Sequence, residues 1–240
     1  MKSSPVWLFD LDNTLHDASH AAFEQMHLAI GDYITKHLGI EGDAAWALRQ
    51  TYYKKYGATL LGLVRHHGVR AAHFLEETHR MPGLEERLRM SEHDRAALAR
   101  LPGRKYILTN APRAYAMRVL HALGLARSFD GVFPIESMTM FGLPRPKPDV
   151  RTLQRLVAQL GVPASRCILV EDTLENLRSA KKLGMRTVWM QRYIGGRFLG
   201  TVRGGVNNGA KRTHSGVLPH AKPAYVYARI GALRKLTPTR

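Results

Sequence analysis

Apolar residues along this chain fall into two patterns that alternate through most of its length. Short runs rich in β-branched and aromatic residues have the length of strands that are buried on both faces. These runs lie at residues 6–9, 105–111, 131–135, 167–170 and 187–190. Between most of them, apolar residues recur at helical spacing. Because strands alternate with helices, the pattern predicts an α/β fold built on a doubly wound parallel sheet with helices on both faces.

The first two predicted strands are separated by a long segment whose periodicity is helical throughout. A first helix is predicted from residue 18, and Gly39 is a suitable residue for its end. Further helices are predicted over residues 42–53, 59–67 and 71–78. The sequence therefore places an all-helical insertion between the first strand and the rest of the sheet.

Two of the predicted strands end in pairs of acidic residues. Asp10 and Asp12 follow the first strand, and Glu171 and Asp172 follow the fourth. Residues two apart in a strand point the same way, so Asp10 and Asp12 would both reach the pocket beyond its carboxyl end, where open α/β sheets bind ligands. A turn at Asp12-Asn13 that needs no chemistry is the alternative for the first pair.

Clustered carboxylates of this kind point to a divalent cation. They repel each other unless a cation lies between them or one of them is protonated. Mg²⁺ is the natural partner, because it takes carboxylate oxygens and leaves room for phosphate oxygens. One acid could then attack phosphorus while another moves protons.

Four short motifs, in order along the chain, make this interpretation more specific. They are Asp10-Leu-Asp-Asn-Thr14, Thr109 at the end of the second strand, Lys147 in a proline-rich loop, and Glu171-Asp172. The set resembles the haloacid dehalogenase-like hydrolases, whose first motif is a strand followed by D-x-D-x-[TV]. The resemblance implies a Rossmann-like core made of residues 1–15 and 83–240, with a small helical cap over residues 16–82.

The resemblance also implies roles for the two acids of the first motif. Asp10 would attack phosphorus and form an aspartyl phosphate. Asp12 would protonate the leaving alkoxide and then activate water. Because a halide leaves without a proton, Asp12 argues against dehalogenation, and the expected reaction is the hydrolysis of small-molecule phosphomonoesters.

The remaining motifs would bind phosphate and metal. Thr109 and Lys147 would hold the transferred phosphoryl group, and the amide of Asn110 would assist in binding the substrate at the start of the following helix. The implied Mg²⁺ ligands are Asp10, the carbonyl of Asp12, Asp172 and, directly or through water, Glu171.

Two stretches of the helical insertion suggest a substrate class. Tyr52-Tyr-Lys-Lys-Tyr-Gly57 and Leu61-Gly-Leu-Val-Arg-His-His-Gly68 resemble the cap of pyrimidine 5′-nucleotidases. That resemblance implies a pyrimidine nucleoside 5′-monophosphate as substrate, with Arg65 or His67 contacting its base or ribose. The tyrosines by themselves are more typical of core packing. A sugar phosphate or phosphoglycolate is the alternative substrate.

The net charge of +17 is concentrated near one end of the sequence. No acidic residue follows Glu175, whereas residues 176–240 contain 14 Lys and Arg. Within this part, residues 195–222 are rich in Gly, Asn, Ser and basic residues and are predicted to form a flexible basic insertion. A nucleic-acid-binding protein that uses this segment is the alternative of a different class. The segment lacks the interleaved aromatic residues that stack on bases, which favours a solvated extension.

Compartment and redox state follow from a few further features. Cys167 is the only cysteine, so no internal disulfide can form, and it lies in an apolar run typical of a structural thiol. No apolar run approaches the roughly 18 residues of a membrane helix, and no signal peptide is visible. We therefore expect a cytoplasmic protein without a membrane partner.

Overall fold

A computed structural model describes residues 4–193 and 221–237 of the chain. The strands are β1 Val6–Phe9, β2 Arg104–Leu108, β3 Gly131–Phe133, β4 Thr139–Met140, β5 Leu143–Pro144, β6 Cys167–Glu171, β7 Arg186–Met190 and β8 Ala228–Ile230. Six of them form a parallel sheet in the order β3-β2-β1-β6-β7-β8, and β4 and β5 form a separate antiparallel pair. The predicted parallel sheet is confirmed.

The α-helices lie between these strands along the chain. They are α1 Ala18–Ala21, α2 Phe23–Leu38, α3 Gly42–Tyr56, α4 Thr59–His67, α5 Ala71–Thr78, α6 Leu84–Arg87, α7 Glu92–Arg100, α8 Arg113–Ala122, α9 Val150–Leu160 and α10 Leu174–Lys182. The predicted helices over residues 59–67 and 71–78 are confirmed at both ends, whereas the helix predicted over 42–53 continues to Tyr56.

Each face of the sheet is covered by its own set of helices. Along β1, Trp7 and Phe9 pack into one apolar cluster with α6, α7 and α8, whereas Val6 and Leu8 pack into another with α9 and α10. This alternation follows from the period of two in a strand, and it explains why β1 is apolar at every position. The doubly wound arrangement is therefore confirmed.

Strand order places the functional motifs at a single edge of the sheet. β1 is paired with β2 on one side and with β6 on the other, and the chain changes direction across the sheet between β1 and β6. Ligands of open α/β sheets bind at such a switch point, beyond the carboxyl ends of the strands. Asp10, Thr109 and Glu171 all lie at these carboxyl ends.

The helical insertion, α1 to α5, has a hydrophobic cluster of its own. Tyr33, Ile34, Leu63 and Phe74 are buried in this cluster. It also contains Ile135, which follows β3 and therefore belongs to the sheet-containing part of the chain. The insertion thus packs against the edge of the sheet through an apolar contact.

Two arginines connect the segments by which the chain enters and leaves the insertion. Arg87 donates to the carbonyl oxygen of Ala21 at 2.8 Å and to the side chain of Gln25 at 2.7 Å. Arg118 of α8 donates to the carbonyl oxygens of residues 79–81 and forms an ion pair with Glu85 at 2.7 Å. The segments that enter and leave the insertion are therefore both hydrogen-bonded to the sheet-containing part of the chain.

The last part of the chain differs from the sequence prediction. The apolar stretch of residues 224–228 predicts a closing strand and residues 230–236 predict a helix. In the structure, β8 covers Ala228–Ile230, and a short 3-10 turn, Leu233–Lys235, replaces the helix. Residues 223–226 instead form a turn in which the amide of Val226 donates to the carbonyl of Pro223 at 2.9 Å. The predicted basic insertion lies outside the described residues, except for Ala221 and Lys222. No helix in the described ranges is long and apolar enough to cross a membrane.

Candidate active site

Three acidic side chains and one lysine meet at the carboxyl ends of β1 and β6. Oxygen atoms of Asp10, Glu171 and Asp172 lie within 4.8 Å of one another. Nζ of Lys147 donates to Oδ1 of Asp10 and to Oε2 of Glu171, each at 2.7 Å. Strand pairing fixes this geometry, since the amide of Asp10 donates to the carbonyl of Val170 at 2.9 Å. One ammonium thus bridges acids that are 161 positions apart in the sequence.

Burial and mutual repulsion shift the pKa values of this cluster. Burial, together with the carboxylate of Glu171, raises the pKa of Asp10 to about 8. Burial and the carboxylate of Asp10 raise the pKa of Asp172 to about 7, and burial likewise raises the pKa of Glu171. Burial lowers the pKa of Lys147, but the carboxylates of Asp10 and Glu171 outweigh it and raise that pKa above its ordinary value. A single ammonium therefore does not compensate the three acids.

The donor set of this cluster fits a hard divalent cation. Its three carboxylates offer oxygen ligands only, which suits Mg²⁺. Burial is the main cause of the raised pKa values of Asp10 and Asp172, and repulsion between their carboxylates adds to it. A divalent cation would remove that repulsion, so Asp10, Glu171 and Asp172 are the side chains that could hold it.

The backbone of Lys147 is fixed by Asn110. The amide of Lys147 donates to Oδ1 of Asn110 at 2.9 Å, and Nδ2 of Asn110 donates to the carbonyl of Lys147 at 3.0 Å. The side chain of Asn110 is thus paired with the backbone of Lys147. This reciprocal pair connects the end of β2 with the loop before α9. The predicted contact of Asn110 with substrate is through its backbone amide and stays a prediction.

Thr109 lies at the end of β2 and is almost fully buried. Its Oγ1 accepts a hydrogen bond from the amide of Ala111 at 3.0 Å, and its own amide donates to the carbonyl of Phe133 at 3.1 Å. An accepting hydroxyl keeps its own hydrogen for donation. Thr109 can therefore donate to a phosphoryl oxygen, as its predicted role requires.

The carboxyl group of Asp12 is held apart from the acidic cluster. Oδ1 accepts a hydrogen bond from the hydroxyl of Tyr115 at 2.8 Å and lies 3.0 Å from Nε2 of His16. Burial and the neighbouring carboxylate of Asp12 raise the pKa of Tyr115 well above its ordinary value, so the hydroxyl remains a donor. The two acids of the first motif, Asp10 and Asp12, thus have different environments, as their different predicted roles require.

Sequence reasoning missed both partners of Asp12. Tyr115 is 103 positions away, and nothing in its local sequence distinguishes it from a core tyrosine of α8. His16 lies two positions after the end of the first motif, and a histidine only four positions after Asp12 is a local signal for such a contact.

The structure places Arg65 and His67 in the helical insertion, near the end of α4. The guanidinium of Arg65 lies over the ring of Tyr56 at 5.9 Å from its centroid, and Nε2 of His67 is 2.8 Å from the hydroxyl of Tyr52. Both side chains are exposed, and these contacts remain inside the insertion. Their predicted contact with substrate therefore stays a prediction.

Curated proteins of similar sequence include two that are 27% identical to this chain over 198 residues. One is Phosphate metabolism protein 8 of Saccharomyces cerevisiae, where the match covers 75% of this chain and 59% of the yeast protein. The other is a Phosphoglycolate phosphatase of Pseudomonas fluorescens, where it covers 75% of this chain and 67% of that protein. The chain thus spans less than two thirds of the length of the yeast relative.

Solved structures show the same fold at low identity. CbbY from Rhodobacter sphaeroides in complex with phosphate is 17% identical, with a TM-score of 0.62 over 97% of this chain and 96% of that chain. A HAD phosphatase from Thermococcus onnurineus is 19% identical, with a TM-score of 0.57 over 96% and 94%. A family model described as haloacid dehalogenase-like hydrolase matches residues 6–184. This match contains all four motifs and most of the chain, which therefore belongs to the haloacid dehalogenase-like hydrolases.

Proposed function

We propose that this chain is a Mg²⁺-dependent phosphomonoester hydrolase that acts through an aspartyl phosphate on Asp10. The observation that carries the proposal is that the side chains of Asp10 and Asp12 lie in different environments. Asp10 lies in the acidic cluster against Lys147, whereas the carboxyl of Asp12 is held separately by hydrogen bonds. A nucleophile and a proton-transfer group are needed at adjacent positions, and their environments must differ for both to work.

The proposed first step transfers the phosphoryl group to the protein. A carboxylate oxygen of Asp10 forms a bond to phosphorus, the bond from phosphorus to the ester oxygen breaks, and Asp12 gives its proton to that oxygen. In the second step, water attacks the same phosphorus, Asp12 takes the proton from water, and the bond to Asp10 breaks. Inorganic phosphate and an alcohol are the products.

The other residues stabilise negative charge in both steps. Lys147 is rigidly placed by Asn110, so its ammonium stays beside the oxygens that gain charge. Thr109 donates a hydrogen bond to the phosphoryl group. When bound by Asp10, Glu171 and Asp172, Mg²⁺ would neutralise phosphate charge and keep the Asp10 carboxyl ionised.

We favour a pyrimidine nucleoside 5′-monophosphate as the substrate. The support is the sequence of α3 and α4, in which Tyr52 and Tyr56 contact His67 and His66 through their hydroxyls at 2.8 Å and 2.5 Å. The partly exposed Tyr56 and the exposed Arg65, His66 and His67 form an aromatic and basic surface suited to a base and its ribose.

A small phosphorylated acid or sugar is the second candidate substrate. It is favoured by the similarity to the Pseudomonas fluorescens protein, which is named Phosphoglycolate phosphatase and is 27% identical over 198 residues. Such a substrate would need no aromatic surface in the helical insertion.

A panel of monophosphates tests reaction and substrate together. Phosphate release is measured with Mg²⁺ from UMP, CMP, AMP, phosphoglycolate and sugar monophosphates, for the wild-type protein and for Asp10→Asn. Preferential release from UMP or CMP that is lost in Asp10→Asn supports the whole proposal. Release only from phosphoglycolate or sugar monophosphates retains the reaction and rejects the nucleotide, whereas release that survives in Asp10→Asn rejects the mechanism.

The contribution of the helical insertion is tested separately. Arg65→Ala and His67→Ala should raise KM for the nucleotide more than KM for p-nitrophenyl phosphate, which lacks base and ribose. Arg70→Ala, another exposed arginine of the insertion, is the matched control. Equal KM values in the wild-type protein and both variants would remove these residues from the substrate site.

A further inference from the structure

Two side chains hold the carboxyl group of Asp12, and the proposed reaction gives neither of them a role. The hydroxyl of Tyr115 donates to Oδ1 of Asp12, and Nε2 of His16 contacts the same oxygen. An ionised carboxyl oxygen can only accept, so in the arrangement proposed below Nε2 of His16 carries the hydrogen of this contact. Both contacts converge on Oδ1, and neither uses Oδ2.

We propose that Tyr115 and His16 are positioning residues that orient Asp12 so that Oδ2 carries the proton exchanged with the ester oxygen and with water. The inference rests on the proposed function, in which Asp12 moves protons. A carboxyl group that accepts two hydrogen bonds on Oδ1 keeps its own proton on Oδ2. The pair therefore selects which oxygen reacts, and it does so before substrate binds.

Both positioning residues are themselves firmly held. The side chain of His16 is fully buried, and Tyr115 is 1% exposed. The ring of His79 packs edge to face against Tyr115, with their centroids 5.6 Å apart. Asp12 and His16 are also joined by a backbone bridge, which fixes the spacing between their side chains. An orienting contact needs this rigidity, because a mobile donor would follow the carboxyl instead of directing it.

Packing alone does not account for a histidine at position 16. Nδ1 of His16 is buried, and it has no hydrogen-bond partner among the residues that the structure describes. Burying a polar ring with one nitrogen unpaired costs stability, which an apolar side chain of similar volume would avoid. The contact between Nε2 and Asp12 is therefore the interaction that a histidine at position 16 makes and an apolar side chain could not.

Tyr115 and His16 orient Asp12 without passing on a proton themselves. In the first step, the proton of Oδ2 moves to the ester oxygen as the bond between that oxygen and phosphorus breaks. In the second step, water returns a proton to Oδ2 as its oxygen bonds to phosphorus. Tyr115 and His16 keep their own hydrogens in both steps and act only through Asp12.

The test compares leaving groups that differ in their need for a proton. p-Nitrophenolate leaves as a stable anion, whereas the alkoxide of a nucleoside or sugar must be protonated as it leaves. Tyr115→Phe removes only the hydroxyl, and we expect it to lower kcat/KM about tenfold for the best alcohol monophosphate of the panel and less than about threefold for p-nitrophenyl phosphate. Tyr106→Phe removes a hydroxyl from β2 and is the matched control, with both substrates unchanged.

Two variants of His16 provide a second route if Tyr115→Phe folds poorly. His16→Leu keeps the volume and removes the donor, so it should show the same selective loss for alcohol monophosphates. His16→Gln places an amide nitrogen where Nε2 lies and should restore most of the rate. Thermal unfolding of each variant is measured alongside, since a purely structural role would change stability without changing the preference between leaving groups.

The outcomes separate this inference from the function on which it rests. An active wild-type protein whose variants lose both substrates by the same factor, or lose neither, overturns the positioning role and leaves the phosphatase proposal in place. A selective loss that His16→Gln reverses supports it. A wild-type protein that releases no phosphate from any ester overturns both.

Discussion

Replacing the proposed nucleophile Asp10 with Asn should make the metal-free protein more stable at alkaline pH. In the absence of a divalent cation, Asp10 lies in a buried cluster with Glu171 and Asp172 that a single ammonium, from Lys147, does not neutralise. Asn is nearly isosteric and removes one negative charge from this cluster. The gain comes at the expense of function, as expected where an active site stores repulsion.

The sign and size of the effect follow from the pKa of Asp10, which is raised from 3.8 to about 8. The folded state therefore binds this proton more tightly than the unfolded state, and stability falls as pH rises between these two values. Each pH unit in this window costs about 1.4 kcal/mol, so the cost grows by about 4 kcal/mol between pH 5 and pH 8. That figure is an upper bound, because Asn also loses the ionic contact with Lys147.

Denaturant unfolding in EDTA at pH 5 and pH 8 measures the prediction. At pH 8, the free energy of unfolding of Asp10→Asn should exceed that of the wild-type protein. This difference should be larger at pH 8 than at pH 5. Asp32→Asn, which removes an exposed carboxyl from α2, should show no such change with pH. Saturating Mg²⁺ should stabilise the wild-type protein more than Asp10→Asn. A gain that is equal at the two pH values, or absent at both, would refute the electrostatic reasoning.

Other substitutions test packing and charge elsewhere. Lys147→Met should destabilise the protein by about 3–5 kcal/mol and abolish phosphate release, because it leaves Glu171 buried without its cation; denaturant unfolding and release assays measure both effects. Gly62→Ala should cost about 1–3 kcal/mol, since an added Cβ would lie 2.1 Å from the ring of Tyr52. Gly31→Ala, in α2, has its closest contact at 3.9 Å and should instead stabilise by up to about 1 kcal/mol, so equal thermal shifts would contradict the packing explanation.

Sequence periodicity predicted the sheet and most helices because each element there buries an apolar face. It failed near residues 224–228, where the apolar tyrosines and Val226 suggested a strand. In the structure, Pro223 begins a turn there, and Tyr227 pairs its amide with the carbonyl of Thr187 at 2.9 Å, one residue before β8. An apolar run of this length does not distinguish a turn that packs on the sheet from a strand within it.

In the candidate site, some residues can be recognised from the sequence around them, whereas the positions of others depend on how the chain folds. Asp10 and Glu171 could be found because acids at the ends of apolar strands are conspicuous in one sequence. The positions of Asn110 and Tyr115 depend on which strands are neighbours and how α8 is turned, and a single sequence contains neither fact. The structure therefore adds chiefly the residues that hold the reacting groups in place.

Ile135 has a consequence for how the helical insertion could be exchanged between relatives. The insertion completes its hydrophobic cluster with this residue, which lies in the chain after β3, more than fifty positions beyond the end of α5. A segment of this size buries little apolar surface, so the loss of one buried contact would lower its stability. A chimaera that transplants residues 16–82 onto a related core would therefore inherit a gap unless the recipient loop is altered with it. The insertion and the loop after β3 would therefore have to be exchanged together.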